Sequence, residues 1–201
     1  MKKTIVIVLI TAFVGLWGGE VEVVDSKMTF EQATKGTKAP KDLLDSLTLL
    51  DVTYYSTDDK LHKGQIIVHK SVEEDVKYFF QMAREEKFTI KQVIPIVEYD
   101  WSDDKSMAAN NSSAFNYRFI AGTERLSNHS FGKAIDINPY FNPVIYKSPT
   151  RISPKGAKYT PGNKGVFTKN GRIVKEMKSR GWRWGGDWNS LKDYHHFDKP
   201  E

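Results

Sequence analysis

The chain has 201 residues, of which 39% are apolar, 12% aromatic and 27% charged, enough for one well-filled core beneath a soluble surface. It contains no cysteine, which excludes a thiol nucleophile, a thiolate metal site, a disulfide framework and a lipid-modified cysteine. The net charge of +5 favours acidic partners, whether nucleic acid, anionic lipid or an anionic polymer, without choosing among them.

Lys2 and Lys3 precede a charge-free apolar run from Thr4 to Gly19. The run is shorter than the ~18–20 residues of a spanning helix and has the form of an export signal, or of an uncleaved N-terminal anchor. Residues 1–19 are therefore set apart as signal peptide or anchor, and export to the periplasm or cell envelope is expected. Residues 20–48 are polar and mixed and are expected to be a linker followed by a short helix over Lys41–Leu49.

Gln65–His69 is short and β-branched and reads as a strand. Ser71 is placed to cap a helix to about Glu86, with Glu73 and Glu74 in its first turn and Val76, Phe79, Phe80, Met82 and Ala83 on its apolar face. Ile90–Val97 reads as a second strand, Ser102–Ser113 as a polar loop with room for a helical turn, and Phe115–Ile120 as a further strand. In Ala134–Asn138, alternation puts Ala134, Asp136 and Asn138 on one face and Ile135 and Ile137 on the other.

Residues 139–170 form a long Pro/Gly/Asn-rich connection. From Asn138 to Lys175 there is no acidic residue, and the basic ones fit either a solvated excursion or a rim that attracts acidic substrate. Arg172–Arg180 fits a helix ended by Gly181. The cluster Trp182-Arg183-Trp184-Gly185-Gly186-Asp187-Trp188 follows, with its tryptophans expected either in the core or along a substrate cleft. Asp193–Asp198 is expected to be a terminal strand.

Two segments carry chemistry: Ser127-Asn128-His129-Ser130-Phe131-Gly132-Lys133-Ala134-Ile135-Asp136 and Asp193-Tyr194-His195-His196. His129 stands in a turn ahead of a strand. Asp136 lies within that strand, on the face opposite the isoleucines. A third ligand from a distant strand would complete a catalytic metal site, which takes three protein ligands and keeps one position open. His62 and His69 have no motif around them and are expected to be structural or exposed.

Ser-x-His-x-x-Gly-x-Ala-x-Asp at 127–136, followed by acid-x-x-His-Phe at 193–197, resembles the zinc D-alanyl-D-alanine peptidases. That group includes the VanY-like carboxypeptidases, the vancomycin-resistance dipeptidases and the L-alanyl-D-glutamate peptidases of phage endolysins. The Trp-Gly-Gly-Asp-Trp run at 184–188 looks like the segment before the second motif in the last branch. The resemblance implies an α+β fold of the Hedgehog/DD-peptidase kind, an antiparallel sheet with flanking helices, over a peptidase domain at 49–201 with its motifs in 115–198. It implies one zinc ion held by His129, Asp136 and His196, with Asp193 as general base and acid. It further implies that Arg118 stabilises the oxyanion and that Ser127 bonds substrate, with Gly132 and Ala134 structural and Asp187 given no metal role. The family spacing selects His196 over His195, and alternation would put these two on opposite faces of one strand. His195 is left as a residue near the metal or substrate, or as a plain surface histidine.

The activity implied is hydrolysis of an amide bond in a peptidoglycan stem peptide, by removal of terminal D-Ala or by cleavage between L-Ala and D-Glu. The Trp-Gly-Gly-Asp-Trp segment at 184–188 and the aspartate at 193 lean toward the endopeptidase. The alternative is a non-catalytic wall-binding module that keeps the zinc fold. Stem peptides are the expected partner, with membrane association through the N-terminal segment as an option. No nucleic-acid partner is expected, since no matching motif accompanies the charge.

Overall fold

The computed structural model describes residues 22–147 and 150–200, so the signal or anchor at 1–19 lies outside the described residues. In chain order the elements are β1 (Val23–Val24), α1 (Phe30–Ala33), α2 (Lys41–Asp45), β2 (Leu47–Tyr55), β3 (Leu61–His69), α3 (Glu73–Glu85), β4 (Gln92–Val93) and α4 (Asp103–Ala108). They continue with β5 (Asn111–Ser112), β6 (Ala134–Asp136), β7 (Val144–Lys147), β8 (Thr150–Ser153), α5 (Arg172–Ser179), β9 (Arg183–Trp184), β10 (Leu191–Asp193) and β11 (His196–Asp198). The class is mixed α+β. In place of one antiparallel sheet there are several small ones, ordered β1-β3-β2, β10-β7-β8, β6-β11-β9 and β4-β5. Most pairs are antiparallel, but β1–β3 and β4–β5 are parallel.

The scaffold is the long β2–β3 hairpin, paired from Leu47↔His69 to Tyr55↔Leu61. Helix α3 lays Val76, Phe79, Phe80, Met82 and Ala83 against it, in one core with Leu50, Val52, Tyr54, Ile66 and Val68. Ile173, Val174 and Met177 of α5 join the same core, as does Phe197 of β11. The Phe197 ring lies 5.0 Å from Phe167 and 6.4 Å from Phe79, measured between centroids. Complete burial of such a side chain contributes ~2–3 kcal/mol, so the residue after His196 anchors the C-terminal strand firmly. A smaller cluster of Ala33, Leu47, Ile67 and Phe115 gathers Met28 and Phe30 from the expected linker and Leu43 and Leu44 from the short helix, so this stretch packs on the hairpin.

Several expected boundaries move. The short helix stops at Asp45 with Ser46 as its cap, and Leu47–Leu49 open β2, where Leu50, Val52 and Tyr54 alternate inward. Ser71 does not cap α3. The chain first makes a 3-10 turn over Lys70–Val72, and the His69 side chain accepts the Ser71 N–H at 3.0 Å. Ile90–Val97 keeps only β4, because Ile96–Tyr99 coils into a 3-10 turn. Phe115–Ile120 forms no strand. Its backbone bonds go singly to Ile67, to the turn at 127–130 and, at Phe119, to a bridge with Leu126. Residues 139–170 contain the β7–β8 hairpin, built on the β-branched and aromatic Val144-Ile145-Tyr146 between the Pro and Gly punctuation. The expected terminal strand is broken by a turn at Tyr194-His195 into β10 and β11, which belong to different sheets.

Candidate metal centre

Three local structures deliver three side chains to one point. The first is a 3-10 turn over Asn128–Phe131, started by Ser127, whose hydroxyl accepts the His129 N–H at 3.3 Å. Gly132 ends it with φ 63°, and a Cβ there would lie 2.6 Å from the His69 backbone nitrogen. Only glycine satisfies both the left-handed backbone and that approach. The second structure is β6, whose Ile135 faces the core and whose Asp136 faces the other way. The third is β11, where Phe197 enters the core while His196 and Asp198 share the opposite face. The antiparallel register sets Phe197 against Ile135, His196 against Asp136 and Asp198 against Ala134.

His129 Nε2 lies 3.1 Å from His196 Nδ1 and 3.2 Å from Asp136 Oδ2, and His196 Nδ1 lies 2.9 Å from Asp136 Oδ1. Donors held ~2.0–2.1 Å from a tetrahedral zinc ion are spaced about 3.3 Å apart, so these separations suit one small cation. The tautomer of His129 suits it too. Its Nδ1–H donates to the Ala114 carbonyl at 2.6 Å, which leaves the Nε2 lone pair facing the other two donors. All three residues are buried.

Behind His196, the Asp198 carboxylate lies 3.9 Å from Nε2 and accepts from Arg183 Nε at 2.9 Å and Asn128 Nδ2 at 2.6 Å. Arg183 thus balances Asp198, and the small Ala134 opposite leaves room for it. Asp136 and Asp193 face histidines, a pair of buried carboxylates whose charge a divalent ion matches. The protonation pattern agrees. Burial opposes the charged form of His196, yet the Asp136 carboxylate hydrogen-bonded to it and the Asp198 carboxylate nearby push its pKa up to about 10. Burial likewise opposes ionisation of Asp136, but the surrounding histidines, His129 first, hold its carboxyl well below the usual range. The cluster is built to contain positive charge.

Asp193, at the end of β10, stands beside this group. Burial raises its pKa above the usual carboxylate value. Its Oδ1 is buried and has no hydrogen-bond partner among the described residues. The two glycines upstream are explained here. A Cβ on Gly185 would lie 2.4 Å from the Asp193 carbonyl, and one on Gly186 would strike the Trp184 ring at 2.3 Å.

His195 is neither a surface residue nor on the far face of a strand. Because Tyr194-His195 is a turn, the ring folds back into the site, only 3% exposed, with Nε2 3.1 Å from Asp193 Oδ1 and 3.9 Å from Asp136 Oδ2. The segment Phe115–Arg118 runs beside the turn at 127–130. There Ser127 N donates to the Arg118 carbonyl, and Arg118 N donates to Ser130 Oγ at 2.9 Å. The Arg118 guanidinium pairs through Nη2 with Asp103 at 3.0 Å, and its Nε is buried without a partner.

Trp182 and Trp184 are core residues, whereas the half-buried Trp188 sets its ring 5.2 Å from that of His196. Asp187 pairs with Lys178. His62 is bracketed by Asp25 and Asp58, and His69 serves as the cap described above, so both have structural partners. Part of the basic stretch is also spent on pairs: Arg172 with Glu85 and Glu86, Lys164 with Asp59, and Arg151 over the Tyr146 ring. Asp198, Asn142 and the inward course of His195 were not foreseen. An adjacent second histidine and an acid two residues after the metal histidine were the available signals.

Residues 121–199 match a protein family described as D-alanyl-D-alanine carboxypeptidase. The matched segment contains Ser127, all three metal-facing residues and Asp193, and it begins after Arg118. No solved structure matches the chain.

Proposed function

We propose that this chain is a zinc-dependent peptidase that hydrolyses an amide bond in peptidoglycan stem peptides, acting outside the cytoplasm on a Hedgehog/DD-peptidase-like scaffold. The observation that carries the proposal is the convergence of His129 Nε2, His196 Nδ1 and the Asp136 carboxylate within bonding reach of one ion, with the buried Asp193 beside them. The peptidase family matched over 121–199 supports it. Bound there, zinc would supply a Lewis acid that acidifies water and polarises the scissile carbonyl.

The protein's own groups do the rest. Asp193 takes the proton of the attacking water and passes it to the leaving amine. Ser127 Oγ accepts from His129 N, so its own O–H remains to be given to the substrate. Arg118, held by Asp103 through Nη2, would present its guanidinium to the oxyanion. One such donor is typically worth ~3–4 kcal/mol in the transition state. Trp188 walls the side of His196.

Trp184-Gly185-Gly186-Asp187-Trp188 and the aspartate at 193 favour cleavage between L-Ala and D-Glu over release of terminal D-Ala. The N-terminal apolar run, as export signal or anchor, would carry the enzyme to its substrate. Among the described residues no helix is long and apolar enough to cross a membrane. Incubating the zinc-loaded protein with purified stem peptide and weighing the fragments tests the proposal. Two fragments split between L-Ala and D-Glu are expected. Release of a single alanine would reject the endopeptidase form, and an intact peptide would reject hydrolysis.

A further inference from the structure

His195 is fixed from behind at Nδ1 and at its carbonyl. Its Nδ1–H donates to the Asn142 carbonyl at 2.7 Å, and its own carbonyl accepts from Ile137 N at 3.1 Å. Asn142 is itself fully buried and locked, its Nδ2 donating to the Gly165 carbonyl at 2.8 Å and its Oδ1 accepting from Phe167 N at 2.7 Å. The imidazole therefore cannot turn, and Nε2 points at the space between Asp193 Oδ1, 3.1 Å away, and Asp136 Oδ2, 3.9 Å away.

Asp193, by contrast, lies on a strand of three residues paired only with β7. Among the described residues its Oδ1 makes no hydrogen bond, and the polar side chain set against it is His195, with Nε2 3.1 Å away. A proton acceptor must be held to within ~0.5 Å of its working position, and strand pairing fixes the Asp193 backbone but not the rotation of its carboxylate.

We propose that His195 is a positioning residue for Asp193, transmitting the rigidity of the locked Asn142 through its ring to the carboxylate. This rests on the peptidase function proposed above. A purely structural histidine would tie the β10–β11 turn to Asn142 and do no more.

Two substitutions separate the roles. In His195→Asn the amide nitrogen takes the place of Nδ1 and keeps the tether to Asn142, but nothing reaches Asp193. In His195→Gln the amide nitrogen takes the place of Nε2 and keeps the contact with Asp193. Zinc content, thermal midpoint, kcat and KM are measured for both and for wild type on the same stem peptide. Expected are one zinc per chain throughout, a kcat lower by about tenfold to a hundredfold in H195N at unchanged KM, and recovery of most of that loss in H195Q. Equal kcat in wild type and H195N would overturn the proposal, as would loss of zinc from H195N in proportion to its loss of rate. Should wild type loaded with zinc cleave nothing, the peptidase function fails by itself, and the positioning role is then decided by crystal structures of the two zinc-loaded variants. The Asp193 carboxylate is expected to keep its wild-type rotamer in H195Q and to lose it in H195N. The same rotamer in both would overturn the role.

Discussion

Asp136 and His196 are direct partners in the β6–β11 ladder, with Oδ1 and Nδ1 2.9 Å apart. Two ligands separated by sixty residues of sequence are thus brought together by strand register, and the same register places Ile135 against Phe197 one step further along. A slip of one residue would turn both ligands into the core and both apolar side chains out. Packing of Phe197 is therefore what specifies the metal site.

Phe197→Ala should accordingly harm the site as well as stability. Loss of a fully buried phenylalanine costs about 3–5 kcal/mol, measurable by denaturant unfolding. Zinc affinity should fall with it, although Phe197 touches no metal. A variant that loses the stability but binds zinc as tightly as wild type would show that the register does not depend on this side chain.

Gly132→Ala meets two penalties, a left-handed backbone at φ 63° and a Cβ 2.6 Å from the His69 nitrogen. Together they should cost about 2–4 kcal/mol. Because Gly132 closes the turn that carries His129, zinc affinity should drop too. Calorimetric unfolding with and without zinc checks both effects.

Asp193→Asn removes the proton acceptor and leaves His129, Asp136 and His196 in place. The rate on stem peptide should fall by about 10²–10⁴, with zinc bound at one ion per chain. Wild-type activity in this variant would remove Asp193 from the chemistry.

Asp75 gives a pH prediction away from the site. Burial opposes its ionisation, but hydrogen bonds from Lys199, Trp182 and Arg180 outweigh burial and hold its carboxyl below the usual range. A group whose pKa is lowered by folding stabilises fully above its unfolded value, near ~3.9 for aspartate, and that contribution is lost as pH falls through the folded value. Asp75→Asn should therefore be less stable than wild type by about 2 kcal/mol at neutral pH. The difference should shrink in acid, as urea titrations at neutral pH and below pH 4 would show.

How far the sequence went follows from how local each signal was. His129 and Asp136 lie within ten residues of one another, and turn, glycine and alternating strand are all written in that interval. Asp193 and His196 are likewise local, and the family spacing picks His196, which the structure groups with His129 and Asp136. His195 stays open in the sequence between a place near the site and the surface, because alternation does not hold across Tyr194-His195, where the chain turns. The β2 strand was hidden by three residues credited to the preceding helix, since Leu-Thr-Leu fits either period over so short a span. The β7–β8 hairpin was masked by the prolines and glycines around it. Pairings such as Asn142 with His195, or Asp198 with Arg183 and Asn128, are set by tertiary contact and leave little trace in local pattern.

The most direct test of the central claim is anomalous diffraction at the zinc edge from crystals of the zinc-loaded protein. One peak per chain is expected, about 2.0–2.2 Å from His129 Nε2, His196 Nδ1 and an Asp136 carboxylate oxygen, with Asp193 close by but not bound. A zinc peak elsewhere on the chain, or none at this site with the His196 ring turned away from Asp136, would contradict it.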